Sequence, residues 1–438
     1  MNTKIITLCC FILGWSTCNA QQELRPEDAV KYTLDNNFGI KVANKNVEVS
    51  ENNTSIYNSG YLPTVTGSAG ATYSLDNNES EFSSGDVTNL NGAESDRYNA
   101  SIDVSYTLFD GLGRKYNYKS LKEQYQLSEL QARETIENTI IELFTIYYNV
   151  AQLTENATTF KQTLDISKDR LVRSEYQFEY GQNTKLEVLN AEVDINNDSI
   201  NLINTKQQLN NTKRDLNLVM GNVLNEDFQV KTEISFLLDV DKEDLFEKAK
   251  SRNVALMQAD KAIRISELDI KQGKSSYLPT LGLIGSYGWS KSNNNAASFV
   301  SVSTNTGLSA GLNLSWNIFD GGSTLTTVKN AKIALESQEI QKEEILFSLE
   351  RDFNNAWDDY QNKLTIFRVQ ENNIITAQNN FDRSQEKFKI GQVNSIEFRQ
   401  AQLNLLNAEL SRNQAKYQAK LSELQLLQLS GELLNIAY

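Results

Sequence analysis

The stretch YLPTVTGSAGATYS, residues 61–74, returns as YLPTLGLIGSYGWS, residues 277–290, at an offset of 216. A match at that separation marks two copies of one structural plan. From Thr64 the odd positions Val65, Gly67, Ala69, Ala71, Tyr73 and Leu75 are apolar or small, and the even positions Thr64, Thr66, Ser68, Thr72 and Ser74 are polar. A period of two is the signature of a strand with two unlike faces. Downstream, Tyr98, Ala100, Ile102, Val104, Tyr106 and Leu108 alternate with polar residues in the same way. In the second copy Leu281, Leu283, Tyr287 and Trp289 form one face, and Leu308, Leu312, Leu314, Trp316 and Ile318 continue it on the next strand. Alternating segments of roughly 9 to 11 residues suit tilted strands crossing a bilayer, one face to lipid and one to a wet lumen. A soluble sandwich with one buried face is the alternative reading. Aromatics near the strand ends, Tyr61, Tyr73, Tyr277, Tyr287 and Trp289, favour an interfacial girdle. Four strands cannot close around a channel, so a transmembrane barrel here needs several chains.

Outward from the strands the copies stay aligned. LFDG ending at Gly111 matches IFDG ending at Gly321, the segment around Gly181 matches that around Gly391, and Gly221 matches Gly431, all at an offset of 210. Pro63 to Phe109 spans 46 positions and Pro279 to Phe319 spans 40, so the six-residue difference falls in the hairpin between the strands. The acidic and Asn-rich stretches Asp76 to Asp96 and Lys291 to Asn305 are expected as solvated hairpin loops. After Gly113 and Gly322 the spacing turns helical. Leu346, Leu349, Phe353, Trp357, Tyr360, Leu364 and Phe367 recur in steps of three and four, and Leu403, Leu406, Leu410, Tyr417, Leu421 and Leu424 do so on the return leg. A helix from Leu112 to Tyr180 would be on the order of 100 Å long at ~1.5 Å per residue, more than a globular core accommodates. Pro26, Pro63 and Pro279 are the only prolines and all sit at element starts, which leaves the helix interiors unbroken. At the strand-to-helix junctions Asp110 with Gly111, and Asp320 with Gly321, offer a cap and a sharp turn. The expected division is a leader over 1–20, a first repeat over 21–240 and a second over 241–438. The first holds a strand pair 61–109, a helical hairpin 112–221 and a connector. The second holds a strand pair 277–319 and a hairpin 321–431.

Composition narrows the function. The opening MNTKIITLCCFILGWSTCNA has a basic Lys4, an apolar run and small residues ending at Ala20, the layout of a secretory signal peptide. Lipidation at Cys18 is the alternative, disfavoured by Trp15, Ser16 and Thr17 before it. Cys9, Cys10 and Cys18 all lie in this leader and histidine is absent, which removes His-based nucleophile pairs, thiolate chemistry and most transition-metal sites. No catalytic, cofactor-binding or metal-binding residue is assigned, and no cofactor is expected. A net charge of −14 argues against nucleic acid. The mean hydropathy of −0.47 argues against a helical membrane protein and leaves a transmembrane barrel open. Paired carboxylates such as Glu343 with Glu344 and Asp358 with Asp359 sit beside Lys342 and Lys363 on helical stretches, as solvated faces do.

The two-copy plan, the YLP strand starts, the FDG junctions and the glycine tips together resemble the TolC family of outer-membrane efflux proteins over nearly all of the chain. The resemblance implies an α+β membrane protein: a homotrimer whose subunits each give four strands to a twelve-stranded barrel in outer-membrane lipid, continued by a periplasmic α-helical barrel. It implies a passive conduit in a tripartite efflux or type I secretion system of a Gram-negative bacterium, partnered by a periplasmic adaptor protein and an inner-membrane RND or ABC transporter. A periplasmic coiled-coil structural or adaptor protein is the alternative. By the same resemblance the tips Tyr180-Gly181-Gln182 and Ile390-Gly391-Gln392 dock the adaptor, and a periplasmic gate falls at Glu397 and Gln400, with Glu187 as the first-copy counterpart. The family's polar latch pairs a tyrosine and an arginine flanking the second tip. Phe388 and Val393 stand there in this chain, so that latch does not carry over. The opening helix has Asn36-Asn37-Phe38 where the family commonly has Asn-Pro.

Overall fold

The computed structural model describes residues 23–225, 228–237, 241–296 and 298–435, so the expected leader lies outside the described residues. In chain order the elements are β1 (Glu23–Leu24), α1 (Pro26–Asn36), α2 (Phe38–Asn53), β2 (Thr64–Glu81), β3 (Val87–Asp110), α3 (Gly113–Glu179) and α4 (Lys185–Val219). Then follow β4 (Gln229–Val230), α5 (Lys242–Arg252), α6 (Val254–Ser275), β5 (Thr280–Asn293), β6 (Val302–Ser315), α7 (Ser323–Lys389) and α8 (Ser395–Leu429). Two compact units result: one of residues 46–129 and 258–343, the other of residues up to Lys45, 130–257 and from Glu344 onward.

The first unit carries an antiparallel sheet in the order β2-β3-β5-β6. Its register stacks like faces, with Val65 opposite Val104, Ile102 opposite Tyr287, and Tyr287 opposite Leu308. No described residue covers this apolar face: Leu308 is 80% exposed, and Val65, Tyr73, Leu312 and Leu314 are exposed as well. The alternation therefore governs which face is apolar, and the described residues leave that face open.

The strands depart from the sequence expectation at both ends. Asp76 to Asp96 is mostly strand, since β2 runs 18 residues and β3 runs 24, and pairing continues out to Glu81 opposite Val87. A two-stranded ribbon satisfies its backbone within itself, so polar side chains on both faces do not prevent it. The turn is only Phe82 to Asp86, closed by the Gly85 N–H donating to the Phe82 carbonyl at 2.8 Å. Lys291 to Asn305 is shortened likewise, with Asn293 opposite Val302. At the other end β6 stops at Ser315, its last residue with a partner on β5 (Thr280), whereas the alternation runs on to Ile318. Trp316 instead donates its indole N–H to the Tyr277 carbonyl at 3.1 Å.

The second unit is built from long helices. Both α3 and α7 are 67 residues long, and both α4 and α8 are 35. The main core gathers Ile140, Leu143, Phe144 and Tyr147 of α3 with Leu216 and Met220 at the end of α4, and Tyr417 and Leu424 of α8. A second core places Leu349, Phe353, Tyr360 and Leu364 of α7 against Leu245, Ala249 and Leu256. Buried tyrosine hydroxyls reach backbone carbonyls: Tyr147 donates to Leu24 at 2.8 Å and Tyr360 to Leu237 at 2.9 Å. Burial pushes both hydroxyls well above the ordinary tyrosine range, so they stay protonated donors.

Short helices tie onto the ends of the long ones. The Asn37 side-chain amide donates to the Val219 carbonyl at 2.9 Å and that of Asn253 to the Leu429 carbonyl at 3.1 Å. Their side-chain oxygens accept from the next helix, Asn37 from the Ile40 N–H and Asn253 from the Ala255 N–H. Each asparagine thus caps the helix that follows it while holding a carbonyl at the C-terminal end of a long helix distant in sequence, α4 for Asn37 and α8 for Asn253. A proline at position 37 would remove both bonds, since each is made by the asparagine side chain.

Candidate functional site

At the first junction Asp110 is the last residue of β3, and its carboxylate accepts from the Arg114 backbone N–H at 2.8 Å and from Arg114 Nε at 3.2 Å. Gly111 has φ +66°, and a Cβ there would sit 2.4 Å from the Ser275 carbonyl oxygen. At the second, Asp320 accepts from the Thr324 hydroxyl and backbone N–H and from the Gly322 N–H. The Thr324 bonds hold the Asp320 carboxyl below its ordinary range. Gly321 follows with φ +69°. The two junctions differ: the first joins strand to helix directly, whereas irregular residues separate Ser315 from Asp320.

The tips share one construction. At the first, the Gly181 N–H donates to the Phe178 carbonyl at 3.0 Å and the Gln182 N–H to the Gln177 carbonyl at 2.7 Å. At the second, Gly391 donates to Phe388 at 3.2 Å and Gln392 to Lys387 at 2.8 Å. These paired bonds close the helix end on a left-handed residue, and both glycines have positive φ, +70° and +75°. Tyr180 and Ile390 are exposed beside them, as are Gln182 and Gln392. Glu187 and Glu397 each sit in the first turn of the helix after their own tip. Glu187 accepts from the Asn183 amide at 2.6 Å, while the Glu397 N–H donates to the Asn394 side chain at 2.9 Å and its carboxylate is exposed. Gln400 is exposed and donates to Asn404 at 2.9 Å.

Two clasped helical hairpins, each fed by a pair of strands with an uncovered apolar face, form an arrangement with known parallels. The signature of the family described as "Outer membrane efflux protein" matches residues 29–222 and 245–432. The chain belongs to that family. Among curated relatives, outer membrane efflux protein BepC of Brucella suis biovar 1 (strain 1330) is 20% identical over 398 residues, covering 91% of this chain and 83% of the relative. Outer membrane protein TolC of Escherichia coli (strain K12) is 22% identical over 353 residues, covering 78% and 71%. Among solved structures the Campylobacter jejuni CmeC outer membrane channel superposes with a TM-score of 0.77 at 17% identity, covering 93% of this chain and 86% of that one. The protein is an outer-membrane efflux channel with a periplasmic extension, which sets aside the adaptor alternative.

In this efflux protein the region just behind the tips is held by contacts that sequence reading passed over. Phe388, at the position of the family's latch tyrosine, stacks on Phe398 with centroids 4.8 Å apart, and the Arg173 guanidinium lies 5.6 Å from its ring centre. The polar contacts lie one to two turns further along. Arg399 of α8 grips Asp198 of α4 with two bonds of 2.8 Å and reaches Ser167 of α3 at 3.2 Å. Ser167 donates to Asp198 at 2.6 Å, and Arg170 pairs with Asp194. Gln402 completes the group, donating to the Thr163 carbonyl at 2.9 Å. The Asp198 side chain is only 2% exposed and Arg170 is buried too, enough for desolvation to lower the Arg170 pKa despite Asp194. Asp194 and Asp198 stand four residues apart on one helical face, a visible signal, but Arg399 lies too distant in sequence to be paired with them by spacing alone.

Proposed function

We propose that three copies of this chain close a twelve-stranded transmembrane barrel from β2, β3, β5 and β6, continued by their helical hairpins as a periplasmic tunnel. The observation that carries the reading is the four-stranded sheet with an uncovered apolar face, in which β2 and β6 each pair on one side only among the described residues. In lipid every unpaired backbone group costs several kcal/mol, so free edges demand closure by further copies. Residues 21–240 and 241–438 act as two repeats of one plan, a reading supported by the equal 67- and 35-residue helices. The channel is passive. Its tips, Tyr180-Gly181-Gln182 and Ile390-Gly391-Gln392, receive a periplasmic adaptor, and an inner-membrane RND or ABC transporter supplies the energy.

Native mass spectrometry in detergent is expected to give a trimer, and planar bilayers are expected to show ion conductance. A monodisperse, water-soluble monomer would rule the assembly out.

Around a threefold axis Glu397 from each copy converges near the tunnel end, where like charges oppose tight closure and attract cations. Glu397→Ala is therefore expected to change single-channel conductance or cation selectivity without altering trimer stability. Unchanged conductance, selectivity and divalent-cation block would place Glu397 on a merely solvated helix face.

A further inference from the structure

Where the sheet meets the helices, the chain reverses its charge. Residues 110–122, 268–275 and 320–332 border the four strands and hold eight lysines and arginines against Asp110, Asp269 and Asp320. The chain as a whole carries a net charge of −14. Lys115, Lys119 and Lys122 lie on α3, Lys271 and Lys274 on α6, and Lys329 and Lys332 on α7, all of them exposed. They share one level of the unit, because α6 ends beside the start of α3, with Ser275 against Gly111. The shift of 210 that relates the two copies carries Lys119 onto Lys329 and Lys122 onto Lys332.

These lysines differ from an ordinary solvated face. Bases deeper in the same unit are paired: Lys261 with Glu123 at 2.9 Å, Lys342 with Asp260 at 2.6 Å and Arg264 with Glu267 at 3.1 Å. Among the described residues none of the seven lysines makes an ion pair. Arg114 and Lys115 also stand in the first turn of α3, which has no acid there, and α7 likewise begins without one. A helix N-terminus is the positive end of the helix dipole, so cations there work against the helix. Both helices run away from the sheet, and helical side chains tilt toward their own N-terminus, so the lysines of α3 and α7 lean back toward the strands. Lys122 shows this lean, with its ammonium 4.4 Å from the centre of the Tyr118 ring one turn earlier. At the same level Leu112, Trp316 and Phe319 are exposed. On α3 the lysines share one face, while Ser120 and Ser128 on the other are buried. In a ring of helices the occluded face of small residues is the concave one, toward the tunnel, which turns the lysines outward.

We propose that these residues form a basic collar that binds anionic phospholipid headgroups of the periplasmic leaflet. The inference rests on the trimeric reading above and adds what the periplasmic rim of the barrel recognises. Clusters of about four to eight basic residues beside a membrane span are the usual mark of anionic headgroup binding, and each copy supplies that many. Unpaired ammonium groups beside exposed aromatic and aliphatic side chains match a lipid in both parts, its charged head and its apolar chains. Headgroup phosphates would also offset the charge that stands against the dipole in the first turn of α3. Glycolipid phosphates of the outer leaflet lie at the far end of the barrel and cannot reach the collar.

Native mass spectrometry of the detergent-extracted protein tests it, with phosphatidylglycerol and phosphatidylethanolamine supplied in equal amounts. The trimer is expected to retain phosphatidylglycerol over phosphatidylethanolamine by about fivefold or more, the discrimination that one basic residue at a headgroup supplies. A variant combining Lys115→Gln, Lys119→Gln, Lys122→Gln, Lys329→Gln and Lys332→Gln is expected to stay trimeric and hold both lipids equally. Lys161→Gln with Lys206→Gln, exposed lysines elsewhere on α3 and α4, is expected to keep the preference. Glycerol 3-phosphate, a headgroup without chains, is expected not to displace the lipid. Displacement at equal concentration would make this a site for free phosphate and overturn the bilayer reading. A trimer without the preference, or a five-site variant that keeps it, overturns the collar and leaves the trimer standing. A native monomer overturns both.

Discussion

Arg399→Ala is expected to destabilise the helical unit by about 3 to 5 kcal/mol, the usual consequence of deleting one member of a buried ion pair. The cost arises less from lost attraction than from what remains. Asp198, nearly sealed from solvent, would keep only the Ser167 hydroxyl, and Gln402 would lose a neighbour. Replacing both charges tests this origin: Arg399→Met with Asp198→Leu is expected to recover most of the loss, since an apolar pair of similar volume leaves no buried charge unpaired and only the Ser167 hydroxyl and the Gln402 oxygen short of a partner. Arg399→Lys should fall between, as one ammonium cannot make the paired bonds of a guanidinium. Denaturant midpoints of the detergent-solubilised protein provide the readout. If Arg399→Ala stays within about 0.5 kcal/mol of the parent, as ordinary surface substitutions do, then water reaches Asp198 and the network is not a structural clasp.

Gly431→Ala is expected to cost about 2 to 5 kcal/mol, far more than the same change at the tip glycine Gly391. Both glycines have positive φ, +69° and +75°, so both substitutions carry the roughly 1 to 2 kcal/mol penalty of a left-handed L-residue. They differ in their surroundings. A Cβ on Gly431 would lie 2.5 Å from the Arg252 carbonyl oxygen, whereas one on Gly391 meets nothing within 4 Å. Relieving that clash means moving Arg252 and the neighbouring Asn253, which holds the end of α8, and overpacking of this kind adds about 1 to 3 kcal/mol. Thermal unfolding of the two variants side by side decides the matter. Equal losses would mean that the backbone around Arg252 yields freely.

Much of this architecture was legible because its signals are local or repeated. Helical spacing marked Leu349, Phe353, Tyr360 and Leu364, all of which are buried, and on the return leg Leu406, Tyr417 and Leu424. The alternation from Thr64 marked the apolar face, because side-chain direction in a strand follows from the backbone alone. Strand ends were misjudged at Asp76 to Asp96, where composition resembles a loop but backbone pairing, invisible in composition, continues. Arg399 escaped notice because its partners Asp198 and Ser167 lie about 200 and 230 positions earlier. The grip of Asn37 and Asn253 on distant helix ends was not legible, since such a contact leaves no mark within their own segment. The acids beside the tips were visible by position, while their role depends on an axis that no single chain contains.

Beyond Asp96, where β5 ceases to pair, the β2–β3 hairpin continues as a two-stranded ribbon carrying Asp76, Glu79, Glu81, Asp86 and Glu94, with no basic residue. Both sheet hairpins turn at the ends away from the helix connections, so in the proposed orientation they face the world outside the cell. The two copies differ in length here by six residues, and the first copy takes up its extra length as paired strand, which satisfies its own backbone groups as it extends. At the outer rim of the proposed barrel this acidic ribbon would gather cations and repel anions before they reach the opening.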